Sequence, residues 1–128
     1  MIFRPELALA ICERRKTETR RVPSDNPRSP WHPDRVERMV GQVRGVQPGR
    51  GRPTVCHIRI TDVALLRLGV LSTTEARAEG FDNPTAFESA WMEIHGTYEP
   101  QIRVWVVRFV LTAMTPERYR ELHEEVRT

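Results

Sequence analysis

The sequence predicts an α+β domain, and three observations carry that expectation. Residues 55–63 alternate, with Cys56, Ile58 and Ile60 on one side and His57, Arg59 and Thr61 on the other, as a half-buried strand does. Residues 101–111 are nearly all apolar and β-branched or aromatic, the composition of a central strand. Around these two runs lie segments with helical spacing and helix-capping residues.

In chain order, Met1 to Phe3 opens as a short strand. Pro5 suits the first position of a helix, and Leu7, Ala10, Ile11 and Arg14 follow helical spacing, so a helix is predicted over 5–14. Lys16 to Val22 leaves it as an extended, threonine-rich segment. Pro23, Pro27, Pro30 and Pro33, set among Ser, Asp and Asn, mark a loop, part of a Pro-rich insertion over about 22–38. Trp31 either pins this loop to the body or, with His32, offers a base a surface to stack on. Residues 36–46 read as a short helical turn followed by a strand. Gln47 to Pro53 is a turn whose glycines permit close backbone approach and which presents Arg50 and Arg52 outward. Ser72 and Glu75 form a capping box, and the helix they start is short because Gly80 stops it. Asn83-Pro84 starts the next helix, with Phe87, Ala90, Trp91 and Ile94 on its apolar face and Gly96 at its end. Thr115-Pro116 caps a final amphipathic helix over about 115–127, with Tyr119, Leu122 and Val126 on one side.

The length of 128 residues predicts one domain spanning 1–128. No apolar run approaches the ~20 residues that cross a bilayer, and the first residues lack a signal peptide's order, so no membrane partner is expected. Cys12 and Cys56 are far apart in sequence and form no C-x-x-C motif, which makes a reducing cytoplasm the simplest compartment. The four histidines show no metal-ligand spacing, and there is no dinucleotide fingerprint, Walker loop or nucleophile elbow. No metal and no cofactor is therefore expected. Residues 1–60 carry a net charge of +7 and residues 61–128 a net of −4. Such asymmetry fits either an anionic partner, nucleic acid above all, or two halves that pair with each other. Oligomeric state is left open.

Lys16 is the only lysine among 20 basic residues. Arginine stays charged, whereas lysine gives up its proton more readily when buried or set among cations. Lys16 lies in Arg14-Arg15-Lys16-Thr17-Glu18-Thr19-Arg20-Arg21. A lysine in a cationic setting beside a hydroxyl is an arrangement that activates nucleophiles. A run of this kind also fits a solvated basic turn. Lys16 and Thr19 would fall on opposite faces of an ideal strand, so their cooperation requires a turn between them. Glu79, just before Gly80, faces the negative end of a helix dipole, an unfavourable place for a carboxylate.

Together these pieces resemble the ASCH domain, a small relative of the PUA fold. The matching residues are the first helix running into Arg15-Lys16-Thr17-Glu18-Thr19-Arg20-Arg21, where the family shows G-x-K-T-x-T-x-R, then the strand from Val55 to Val63, the Ala78-Glu79-Gly80-Phe81 turn and the strand Val104 to Phe109. The turn from Gln47 to Arg52 is similar to that of actinobacterial and phage members. The resemblance covers about residues 2–111 and implies a PUA-like mixed β-barrel of five to six strands with flanking helices, to which this chain adds a C-terminal helix. It implies binding of RNA or a modified nucleoside in a basic cleft. Some bacterial members are amidohydrolases that remove the acetyl group of N4-acetylcytidine, and others are linked to RNA cleavage; a non-catalytic binding module is the alternative. On the amidohydrolase pattern the catalytic lysine, threonine and glutamate map to Lys16, Thr19 and Glu79. Thr17, Arg20, Arg21, Arg50 and Arg52 are the expected binding residues. Two departures stand out: the family's glycine two residues before the lysine is Arg14 here, and the Pro-rich insertion is long.

Overall fold

The computed structural model describes residues 1–128. Its elements are α1 (Pro5–Cys12), β1 (Glu18–Arg21), α2 (Pro33–Val36), β2 (Val43–Val46), β3 (Cys56–Arg67), α3 (Thr73–Ala78), α4 (Pro84–His95), β4 (Arg103–Met114) and α5 (Pro116–Arg127). The strands form one antiparallel sheet in the order β1-β4-β3-β2. The α+β class and the added C-terminal helix are as expected. The sheet has four strands rather than five to six, and it stays open, with β1 and β2 as its edges. Met1 to Phe3 contributes only one parallel bridge, Ile2 to Gln47, because Pro5 turns the chain into α1 two residues later. The Pro-rich segment adds no strand; prolines cannot donate to a ladder, and its second half coils into α2 and a 3₁₀ turn over Glu37–Met39.

The long pair β3–β4 is the backbone of the fold, matching Cys56 with Met114 at one end and Arg67 with Arg103 at the other. Its register slips between His57 and Ile58 and again between Ile60 and Asp62, and such bulges bend a strand pair. The main core forms where Ile58, Ile60, Val107 and Phe109 meet Leu9 and Ile11 of α1, Val36, Met39 and Leu122 of α5. Cys12 and Cys56, remote in sequence, lie in this cluster as free buried thiols. A smaller cluster joins Leu68 and Val104 to Phe87 and Trp91 of α4. No helix is long and apolar enough to cross a membrane.

The helix ends explain where the site falls. The helix predicted over 5–14 ends at Cys12, because Arg14 turns into the left-handed region at φ 62°. Arg15 N bonds back to Ala10 O at 2.8 Å and Arg14 N to Ile11 O at 3.0 Å, a Schellman motif with arginine where glycine is usual. α3 keeps its predicted capping box and stops through a second Schellman motif, with Gly80 at φ 100°. Phe81 N reaches Ala76 O and Gly80 N reaches Arg77 O, both at 2.9 Å. α4 begins at Asn83, whose Oδ1 accepts from Ala86 N, and ends at Gly96. Thr115 occupies the N-cap of α5 by position, but its side chain makes no capping bond.

Candidate functional site

β1 is a short edge strand wedged between β4 and the end of α3. On one side Glu18 to Arg21 pair with Arg108 to Trp105. On the other, Thr17 N donates to Ala78 O at 2.7 Å, which stitches the turn after α1 to the last carbonyls of α3. Two helix C-termini therefore meet, with Lys16 just past one and Glu79 at the other. Lys16 precedes the pleated part of β1, so it and Thr19 reach one pocket with no turn between them. That corrects the requirement for an intervening turn.

Lys16 is no solvated turn residue. It is 2% exposed, beside Glu79 at 3%, Glu18 at 4%, and Thr19 and Arg20 at 5%. Lys16 Nζ donates to Glu18 O at 2.7 Å, Glu79 O at 2.7 Å and Glu79 Oε1 at 3.1 Å. Three N–H donors thus meet three acceptors. The Glu79 carbonyl belongs to the C-terminus of α3, where unpaired carbonyls and the helix dipole favour a cation. Arg20 Nη1 bridges Glu18 Oε1 at 2.7 Å and Glu79 Oε2 at 2.9 Å, and its Nη2 reaches Glu75 Oε2 at 2.8 Å. Arg108, across from Glu18 in the ladder, donates to Glu18 Oε2 at 3.2 Å and to Asp62 Oδ2 at 3.0 Å. Two buried cations are thereby matched by two buried carboxylates, and the network continues outward through Glu75, Arg108 and Asp62.

Burial pushes the Lys16 ammonium below its ordinary pKa of 10.5; Glu79 opposes that shift and Arg21 adds to it. Arg15, the neighbour of Lys16 in the basic run, lies exposed and pairs with Glu13 at 2.6 Å. Burial also acts against charged Arg20, but its bonds to Glu18 and Glu79 outweigh it and hold the guanidinium more firmly charged than usual. Arg21 is partly buried and is lowered by desolvation. Its Nη2 donates to Ile2 O at 3.1 Å.

Lys16, Thr19, Arg20, Arg21 and Glu79 line one cavity of about 490 Å³. Its other walls are Phe3 and Leu7, Phe81, and Phe87, Ala90, Trp91 and Ile94 along α4, with Pro48 and Gly49 from the glycine turn. Thr17 is exposed and serves through its backbone, its carbonyl accepting from Phe109 N at 3.0 Å. Arg50 is exposed and outside the cavity. Arg52 does not point freely outward; it grips Glu125 of α5 with two bonds, at 2.9 and 2.5 Å. The turn contributes Pro48 and Gly49 to the cavity, not its arginines.

Sequence reasoning missed Glu18, Glu75 and the aromatic wall. Lys16, Glu18 and Arg20 stand two residues apart, the spacing of one strand face, and that signal would have found Glu18. Glu75 serves twice: Oε1 takes Ser72 as part of the capping box, and Oε2 takes Arg20. Phe87 and Trp91, read as a core face, are core and cavity wall at once.

No protein-family model and no curated protein matches this sequence. Solved structures do match. The crystal structure of an ASCH domain from Lactobacillus crispatus JV V101 superposes with a TM-score of 0.58 at 20% identity, covering 84% of this chain and 70% of that one. A protein from Enterococcus faecalis V583, of the DUF984 family, superposes with a TM-score of 0.56 at 19% identity, covering 92% of this chain and 71% of the other. The chain has the fold of an ASCH domain, as its sequence resemblance implied.

Proposed function

We propose that the pocket receives one nucleobase, from RNA or a free modified nucleoside, and that Lys16, Thr19 and Glu79 hydrolyse an N-acyl group carried on it, as in N4-acetylcytidine. The observation that carries this reading is convergence: all three residues are buried and line one aromatic-walled cavity, and two of them, Lys16 and Glu79, are ion-paired there. The cavity volume of about 490 Å³ falls within the range of small-molecule sites. Rings such as Phe81, Phe87 and Trp91 suit the flat face of a base.

The reaction converts an amide and water into an amine and a carboxylate. Lys16 Nζ takes the proton of Thr19 Oγ1, and that oxygen attacks the acyl carbon. A backbone N–H holds the oxyanion. The C–N bond breaks as a proton passes from Lys16 through Glu79 to the leaving amine. Water then cleaves the threonyl ester and releases the acid. Lys16 must be neutral at the outset, which its burial and Arg21 favour. Arg50, exposed at the turn, steers a polynucleotide.

A second reading, binding without chemistry, is favoured by one observation: the three bonds of Lys16 go to Glu18 and Glu79 and none to Thr19. In that reading Lys16 is a fixed cation. Lys16→Arg distinguishes the two, since it keeps the charge and removes the base. Hydrolysis predicts that acetyl release from N4-acetylcytidine falls by about 100-fold or more in the variant. Binding alone predicts that neither protein releases acetate while both retain the nucleoside.

A further inference from the structure

Charge in the pocket is unevenly settled. Lys16 and Arg20 are answered by Glu79, Glu18 and Glu75. Arg21 lines the same cavity and bonds to no carboxylate; Glu79 acts on it only at longer range and does not outweigh its desolvation. Its Nη2 bonds to the Ile2 carbonyl, and its Nε is enclosed without a partner. Arginine does not shed its proton to escape such a place, and a desolvated cation with no anion in contact is costly.

The side chain is nonetheless held firmly. The Phe3 ring lies 5.0 Å from the guanidinium carbon and the Trp31 ring 5.4 Å from it. Trp31 comes from the Pro-rich insertion, and its carbonyl accepts from Trp105 Nε1 at 2.9 Å, which ties the insertion to β4 at this residue. With both rings packed near the guanidinium, Nε enclosed and Nη2 already on the Ile2 carbonyl, the N–H groups left over at the Nη end are what Arg21 offers to the cavity it lines, and a phosphate oxygen suits them.

We propose that Arg21, held against the Phe3 and Trp31 rings, is a phosphate subsite beside the base pocket, so that the ligand is a nucleotide unit rather than a bare base or nucleoside. This rests on the reading of the cavity as a base site. It also gives the insertion a role: Trp31 positions Arg21. The phosphate is either the monoester of a free nucleotide or the diester of an RNA chain.

The test uses the full chain and probes that hydrolysis does not consume. Cytidine, cytidine 5′-monophosphate, the trinucleotide UpCpU and ribose 5-phosphate are titrated, with the Arg21 Nε–H resonance followed by NMR. Cytidine 5′-monophosphate or the trinucleotide is expected to bind about 10- to 100-fold more tightly than cytidine and to shift that resonance. Whichever is tighter identifies the source of the phosphate. In Arg21→Gln the advantage over cytidine shrinks to about twofold or less; Trp31→Ala reduces it partway. Equal affinity for cytidine and both phosphorylated probes in the wild type, or an Nε–H resonance that no phosphate moves, overturns the proposal. Ribose 5-phosphate separates the two claims. If it shifts Arg21 while cytidine fails to bind, the phosphate subsite stands and the base pocket falls.

Discussion

Lys16 shows how one residue type can be informative and still be misplaced by sequence. Its singularity and its hydroxyl neighbours marked it, but the sequence left a solvated turn open, because nothing local says that a charge will be buried. Burial came from the partner segment: Glu79, 63 residues away, supplies a carbonyl and a carboxylate to the same ammonium. Removing one member of such a set leaves the others stranded. Glu79→Gln is predicted to destabilise the domain by about 3–5 kcal/mol, read by urea denaturation, since it leaves Lys16 and Arg20 facing one carboxylate fewer. The pH dependence has a definite sign. The folded pKa of Lys16 lies below 10.5, so between those two values the unfolded chain binds the extra proton and stability rises with pH. Relative to Lys16→Met, the wild type should gain stability as pH climbs toward 10.5 and then level off. A difference that stays flat over that range would remove the case for a shifted lysine.

At the scale of elements, the start and stop residues were legible where their side chains do the work. Ser72 with Glu75, Asn83, Gly80 and Gly96 all act as their chemistry predicts. The end of α1 was not legible, because arginine occupies the left-handed position that glycine normally marks. Arg14→Gly is therefore predicted to stabilise the protein by about 0.5–1 kcal/mol, seen as a higher Tm, by removing the Cβ penalty at φ 62°. Gly80→Ala should do the reverse. It combines a left-handed φ with a Cβ 3.2 Å from Leu7 Cδ2, and it would disturb the turn that presents Glu79 to Lys16. Loss of stability together with loss of ligand binding is the expected outcome. The aromatic wall was hidden for another reason: an apolar helix face predicts packing, and only the tertiary arrangement leaves part of that face lining a cavity.

Across the whole molecule, part of the basic N-terminal half is answered by the acidic C-terminal half. Arg20 with Glu75 and Glu79, Lys16 with Glu79, Arg4 with Glu93 and Arg52 with Glu125 all join the two. The excess of positive charge was visible in the sequence, but its pairing was not, because partners lie 50 to 90 residues apart. Arg50 stays free of those pairs. If it steers RNA, Arg50→Ala should weaken binding uniformly across sequences and lower the salt slope by about 1, whereas Arg52→Ala should act mainly on the contact with α5. The open four-stranded sheet leaves the cavity at its β1 edge, lined by α4 and by residues flanking and within α1, and the chemistry proposed there depends on whether Lys16 moves a proton. Mass spectrometry of the products formed from N4-acetylcytidine by the wild type and by Lys16→Arg tests this most directly. Cytidine and acetate from the wild type, with at least about a hundredfold less from the variant, is the predicted result. Equal yields from the two proteins, or no cytidine from the wild type, would contradict it.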